Sequence, residues 1–324
     1  EGGVTASIGA PAGALVAAYY GACAVLVVGR GRVRAAAAVA LAAALALIVT
    51  GARWPAYAPP GGMRMTLLDV GQGEAILVET AGGAVLVDAG GAPFGASSFD
   101  IGGRVIAPAL WARGIRRLSV LAITHGDPDH IGGAQAVLRD FAPRELWLGV
   151  EVPGHEPTAA LVRMARERGV RVVRRQAGDR VTMGRAALRV LHPPEPEWQR
   201  RRVRNDDSLV LEATVGDVAV LLTGDAGTPV EREVAARLTP ARVRVLKAGH
   251  HGSRTATGDA LVAAWRPQLV VLSCGRGNAF GHPAPEVVRR VEDAGAALLR
   301  TDRDGQVTVE TDGVRLWTAT YAGG

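Results

Sequence analysis

Four shortages in this sequence each remove a class of explanation. Two cysteines, Cys23 and Cys274, in 324 residues are too few for a disulfide scaffold or a CxxC-type zinc site. The 42 glycines and 18 prolines make the chain turn-rich, but the glycines lack the strict period of a collagen. Lysine is nearly absent: Lys247 is the single lysine among 37 basic residues. The net charge of +6 therefore sits on arginine, which suits an anionic partner such as nucleic acid or lipid headgroups. Genomic base composition accounts for the arginine and alanine excess equally well. Charge is missing altogether from Ile8 to Gly29 and again from Ala35 to Ala52. Over the whole chain, 48% apolar and 21% charged residues exclude disorder and allow a large core, in a chain of roughly two domains' length.

Each uncharged stretch has about the length that a bilayer core requires of a helix. Together they are expected to form a transmembrane hairpin over residues 1–53. A signal peptide would have one apolar core after a basic start, whereas this chain starts at Glu1 and has two. Arg30, Arg32 and Arg34 mark the turn between them as cytoplasmic, which puts Glu1 and everything after Arg53 on the outer side. Trp54 and Tyr57 fit an outer interface, and residues 54–62 read as a linker. The abrupt start without Met is that expected of a piece of a larger membrane protein.

The remainder, 63–324, reads as one domain. MRMTLLDV, EAILVET and AVLVDAG are short β-type runs separated by GQG and AGG turns. Residues 118–124 (LSVLAIT) form a continuous apolar run, as in a strand covered on both faces. Helices are expected at Ile131–Phe141 and Thr158–Arg168. Strand and helix patterns then alternate through 208–223, 229–238, 243–248, 257–265, 268–274, 284–294 and 305–318. This is the pattern of sheets covered by helices, with chemistry on the loops at strand ends.

The sharpest feature follows the buried run: Thr124-His125-Gly126-Asp127-Pro128-Asp129-His130. Four potential metal ligands within six residues cannot all reach one ion at bond lengths of about 2.0–2.2 Å. They suit two ions about 3.5–4 Å apart. Asp225 ends the apolar run LLTGD and is placed to bridge two cations. His250 and His251 end another run; side chains alternate along an extended chain, so only one of them is expected to coordinate. His282 reads equally as a substrate contact, a proton donor or an ordinary loop histidine. Asp69 and Asp88 end β-type runs and each could be a turn residue. His155 and His192, beside prolines in loops, are expected to be uninvolved.

The ordered set LLDVGQGEAILVET, ITHGDPDHIGG, NDDSLVL, LLTGD, LKAGHHGS, FGHPAPEV and TDRDGQVTVE, spanning about 63–312, resembles the metallo-β-lactamase superfamily. More narrowly it resembles the C-terminal domain of ComEC-type competence proteins, bacterial membrane channels for DNA uptake. The resemblance implies an α/β fold, an αββα four-layer sandwich with its metal centre at one edge, preceded here by the two-helix transmembrane hairpin. Carried over by motif, His125 and Asp127 would serve the first metal and Asp129 and His130 the second, with Asp225 bridging and His250 completing the second site. Asp129, Asp225, His251 and His282 are the catalytic candidates. Gln72, Asn205, Ser208, Ser253 and Arg254 are the substrate-contact candidates, and Asp69 and Asp88 stand behind the ligands. Arg204 and Arg254 flank the loops as phosphate contacts.

Two departures matter. Asp127 replaces the middle histidine of the superfamily's usual HxHxDH loop. Arg204-Asn205-Asp206-Asp207-Ser208 stands where a further histidine is common. More oxygen ligands favour Mn²⁺ or Mg²⁺, with Zn²⁺ retained on affinity. The expected cofactors are two divalent ions, and the expected partners are DNA, a membrane and other components of a DNA-uptake machinery. Three readings follow: a nuclease whose activated water attacks phosphorus, a hydrolase of lactams, lactones or thioesters, and a DNA-guiding module without catalysis. The first has the hydrolase domain outside the cytoplasm in a multi-pass bacterial membrane protein.

Overall fold

A computed structural model describes residues 13–50, 61–94, 99–195 and 199–321. Trp54, Tyr57 and most of the expected linker lie outside the described residues. The chain forms two units, Glu1–Tyr57 with Pro108–Arg116, and Ala58–Ala107 with Arg117–Gly324.

In the first unit, helices α1 (Gly13–Val28) and α2 (Gly31–Thr50) form a pair. Gly31 turns the chain between them at φ +56°, a conformation glycine adopts without steric cost. At 1.5 Å per residue, the 20 residues of α2 span about 30 Å, long and apolar enough to cross a bilayer over Gly31–Ile48. The 16 residues of α1 are equally apolar but shorter. Tyr20, Val27, Val28, Val33 and Val39 are more than half exposed, so the pair carries apolar side chains outward, as helices immersed in lipid do.

The second unit contains two sheets. The strands of the first are β1 (Met63–Leu67), β2 (Ile76–Thr80), β3 (Gly83–Val87), β4 (Val120–Ala122), β5 (Glu145–Leu148) and β6 (Arg171–Arg174). Those of the second are β7 (Arg180–Met183), β8 (Ala186–His192), β9 (Val210–Val215), β10 (Val218–Leu222), β11 (Val243–Lys247), β12 (Leu269–Leu272) and β13 (Ala297–Arg300). Finally, β14 (Gln306–Thr311) and β15 (Leu316–Tyr321) return to the first, giving the orders β15-β14-β1-β2-β3-β4-β5-β6 and β13-β12-β11-β10-β9-β8-β7. Each sheet is antiparallel in one half and parallel in the other, from β3 to β6 and from β10 to β13. Parallel neighbours need crossovers, and helices such as Ala134–Phe141, Glu156–Glu167, Thr228–Ala235, Asp259–Trp265 and Pro285–Asp293 supply them.

The core strands are buried on both faces, and successive side chains join opposite cores. Val218, Val220 and Leu222 join Met63, Met65 and Leu67 in the core between the sheets. Ala219 and Leu221 face the other way, toward Val230, Val234, Leu261 and Trp265 on the covering helices. The result is the expected four layers. The loops at the C-terminal ends of the parallel strands from both sheets meet at one edge, where open α/β sheets bind their ligands.

Candidate metal centre

The site is built from strand ends. Asp88 follows β3, and Thr124, His125 and Asp127 follow β4. Asp129 and His130 sit in the one-turn helix Pro128–Ile131. In the second sheet, β10 and β11 run parallel with Leu222 opposite Lys247. Asp225 and His250 each lie three residues further on, so the shared register carries them to the same end of the sheet.

Asp225 is the hub. Its Oδ2 lies 3.3 Å from His130 Nε2 and 3.6 Å from both His250 Nε2 and His251 Nε2. His251 Nε2 is also 3.5 Å from Asp129 Oδ2, and His125 Nε2 is 3.3 Å from Asp127 Oδ2. Donor atoms of His125, His130 and Asp225 lie within 4.8 Å of one another, as do those of Asp129, His130 and His251. Each group is able to hold a metal ion by composition and spacing.

The hydrogen bonds behind these rings fix their tautomers. Asp88 accepts from Thr124 N and Oγ1, both at 2.7 Å, and from His130 Nδ1 at 2.8 Å. Because the Thr124 hydroxyl proton goes to Asp88, its oxygen is left to accept from His125 Nδ1 at 3.0 Å. His251 Nδ1 donates to Ser273 O at 3.0 Å. In each ring Nδ1 carries a proton and Nε2 faces the centre, the orientation that outer hydrogen bonds give to metal-binding histidines. The Nε2 atoms of His125, His130 and His251, with Asp225 Oδ1, are buried without a hydrogen-bond partner among the described residues. Buried polar atoms are rarely left so. Nitrogen and carboxylate donors turned toward one point fit divalent cations.

The charges agree. Burial pushes the His130 pKa down, but Asp225 and Asp88 outweigh it and hold it well above the usual imidazole value. Burial pushes the Asp225 carboxyl up, yet the surrounding imidazoles, His130 foremost, hold it well below the usual carboxylate range. Asp129 is likewise raised by burial and brought below its ordinary value by the His251 hydrogen bond and by His130.

The His250–His251 pair behaves differently from the expectation. Both residues lie in the left-handed region, at φ +47° and +53°, a conformation costing of order 1–3 kcal/mol for non-glycine residues. The alternation of an extended strand does not apply, and both rings approach Asp225. His251 is buried and groups with Asp129 and His130, the place the motif reading gave to His250. The His250 ring is more open and lies beside Asn205 Nδ2, 3.2 Å from its Nε2.

The other candidates are scattered around this centre. Ser208 Oγ lies 3.3 Å from His125 Nδ1 and accepts from Asp225 N at 3.2 Å. The His282 ring is 5.9 Å from that of His250. Ser253 Oγ is 3.0 Å from Thr255 Oγ1, and Arg254 is exposed, with Glu286 3.7 Å away. Gln72 Oε1 accepts from Gly275 N at 3.0 Å, tying two loops together. Asp69 is not brought to the cluster: it is exposed and accepts from Gly71 N in its own turn. His155 Nδ1 lies 2.8 Å from Thr158 Oγ1. The His192 ring donates to Asp206 O at 2.9 Å and so braces the turn carrying Asn205.

Two further residues belong beside the centre. Lys247, wholly buried, forms an ion pair with the equally buried Glu74 and donates to Gly224 O at 3.2 Å. Glu74 N in turn donates to Asp129 O at 3.0 Å. The lone lysine in an arginine-rich chain was the available signal, and Glu74 had none.

Comparison with known proteins gives this geometry a lineage. The chain is 31% identical over 264 residues to ComE operon protein 3 of Bacillus subtilis, covering 78% of this chain and 33% of that protein. It is 32% identical over 253 residues to Competence protein ComA of Neisseria gonorrhoeae, again 78% of this chain and 33% of the relative. The chain thus spans about a third of the length of these curated relatives. Among solved structures, Igni18, a metallo hydrolase from Ignicoccus hospitalis, is 18% identical with a TM-score of 0.48, covering 76% of this chain and 98% of that one. The family described as the metallo-beta-lactamase superfamily matches residues 68–276, the stretch that supplies every donor atom named above, and the chain belongs to that superfamily.

Proposed function

We propose that this chain is the metal-dependent phosphodiesterase part of a DNA-uptake protein, cutting DNA at the membrane surface. The observation that carries the reading is the set of buried, unpartnered donor atoms on His125, His130, His251 and Asp225 in a chain whose relatives are named as competence proteins. Bound divalent cations would supply Lewis acidity and an activated water. Asp127, Asp129, Asp225, His125, His130 and His251 would hold them.

The chain's own residues account for the rest. Asp88 and Ser273 orient His130 and His251 so that no ring turns on substrate arrival. Two clefts flank the centre, one lined by His125, Thr158 and Arg174, the other by Asn205, Asp225, His250 and Thr255, and Arg204 lines both. Its guanidinium is partly exposed, with Asp206 at a loose 3.9 Å, so it is free to grip a phosphate bidentately. His250 and His282, both with pKa values lowered chiefly by burial, stand at the rim, where their ring N–H groups would donate to a leaving oxygen. In this reading α1 and α2 lie in the bacterial membrane as the end of a multi-pass region, with the hydrolase unit outside the cytoplasm and other uptake components as partners.

The test is incubation of the full chain in detergent with end-labelled single- and double-stranded DNA and Mn²⁺, Zn²⁺ or Mg²⁺. Metal-dependent shortening that disappears in Asp225→Ala is the expected result. Retained binding with no shortening under any metal overturns the reading in favour of a guiding module, and turnover of a lactam, lactone or thioester instead favours a small-molecule hydrolase.

A further inference from the structure

This sequence has four phenylalanines, and two of them stand in the open beside the metal centre. Phe94 is 77% exposed and Phe280 42%. Single exposed apolar side chains are ordinary, but these two are stacked on each other, ring centroids 5.4 Å apart and planes 28° from parallel. The row continues inward. Phe280 stacks on His282 at 5.7 Å and 21°, and His282 meets His250 edge-on at 5.9 Å. His250 in turn lies 3.6 Å from Asp225. A continuous line of rings therefore leads from the hub of the metal centre to solvent.

The row is held rigidly. Asn278 ties its loop from inside: Nδ2 donates to Gly275 O and His282 O at 2.9 and 2.6 Å, while Oδ1 accepts from Phe280 N and His282 N at 3.2 and 3.0 Å. Gln72 anchors the same loop through Gly275 N. His282 Nδ1 is buried without a hydrogen-bond partner among the described residues. Arg254 stands nearby, exposed.

Flat, rigid rings in line beside a cationic side chain are what an unpaired nucleobase recognises: every base has a π-face, and stacking is indifferent to sequence. We infer that Phe94, the open outer face of the row and backed by the Phe280–His282 stack, takes an unpaired base of the strand that leads to the cleaved phosphodiester, and that the preferred substrate class is therefore single-stranded nucleic acid. The inference rests on the phosphodiesterase reading above and adds to it. In a duplex the base faces are covered by their neighbours, and the row has nothing to hold.

The experiment measures binding of the full chain in detergent, with EDTA present so that no strand is cut, to a fluorescent oligothymidylate, to the same backbone carrying abasic residues, and to a duplex. A separate arm follows cleavage of the three with Mn²⁺. The wild type binds the oligothymidylate more tightly than the abasic strand or the duplex. Phe280→Ala with Phe94→Ala loses about 5- to 100-fold of the oligothymidylate affinity per stacked base and leaves abasic binding unchanged. Phe94→Trp keeps the preference and Phe94→Leu, which keeps the apolar contact with Phe280, does not. Equal wild-type affinity for abasic and base-bearing strands overturns the inference, as does a double variant that keeps the preference. Cleavage without base preference sinks the stacking role and spares the phosphodiesterase; base-dependent binding without cleavage does the reverse.

Discussion

Replacing Lys247 by methionine removes one charge of a wholly buried pair and keeps the length of the side chain. Both Lys247 and Glu74 are 0% exposed, so the carboxylate left behind has no water to turn to. Removing one partner of such a pair costs about 3–5 kcal/mol, and the carbonyl of Gly224 loses its ammonium donor as well. Glu74→Gln leaves the opposite charge stranded and should cost a similar amount. The double variant Lys247→Met, Glu74→Gln strands neither charge, so its cost should fall below the sum of the singles by about 2–4 kcal/mol. Urea unfolding of the full chain in detergent, followed by the fluorescence of the buried Trp147 and Trp265, measures all four corners of the cycle. With a slope near 3 kcal/mol per molar urea, each single variant should lower the midpoint by about 1–1.7 M. Single variants within 1 kcal/mol of the wild type, or a double variant as costly as the sum, would refute the assignment of a mutually compensating pair. Lys247→Arg should also destabilise, because the larger guanidinium overpacks a wholly buried site.

Further predictions concern the centre, the second cysteine and the apolar helix α2. His251→Ala should lower the number of bound metal ions per chain, read by elemental analysis after gel filtration, while His250→Ala leaves it unchanged; the opposite order would restore the motif assignment. Asp88→Asn should weaken metal affinity about 10- to 100-fold by freeing the His130 ring, measured by competition with a chromophoric chelator. Burial, helped by Asp302, pushes the Cys274 thiol up to about 12. A raised pKa means that its contribution to stability is complete below the unfolded value of about 8.5 and is lost as pH rises toward 12. Cys274→Ala should therefore show a shallower fall of the urea midpoint between pH 9 and 11, and equal slopes would contradict the shift. Leu45→Arg in α2 should cost about 2.5–3.5 kcal/mol of insertion and release the chain from carbonate-washed membranes; an unchanged membrane fraction would remove α2 as an anchor.

The layers and the main strands could be read directly because a covered parallel strand and an amphipathic helix leave different periods in a sequence. LLTGD and LKAGHHGS each end an apolar run, and the shared register of β10 and β11 brings Asp225 and the histidine pair together. The stretch from Glu145 to His192 was less legible. β6 is a four-residue strand, Arg171–Arg174, with arginines at both ends and half-buried valines between, so neither its length nor its polarity separates it from a loop. The 118–124 run looked like a seven-residue strand, yet only Val120–Ala122 pairs as one. Its remaining apolar residues lead into the loop that delivers Thr124 to Asp88.

The histidine pair shows why local rules fail first at the centre. Alternation assumes extended backbone, and a sequence cannot announce that two successive non-glycine residues will take φ near +50°. That conformation is unfavourable by itself and persists only where the surroundings hold it. Here His251 Nδ1 is held by Ser273 O from β12's end, and His250 N donates to Gly224 O across from β10. Both anchors come from strands adjacent in the sheet and distant in the chain. The same holds for Asp88, at φ +59°, whose two oxygens collect Thr124 and His130. The ligand types were visible because chemistry limits them to few residues. Which histidine turns inward was decided by tertiary hydrogen bonds, and those bonds exist only once β10, β11 and β12 have paired.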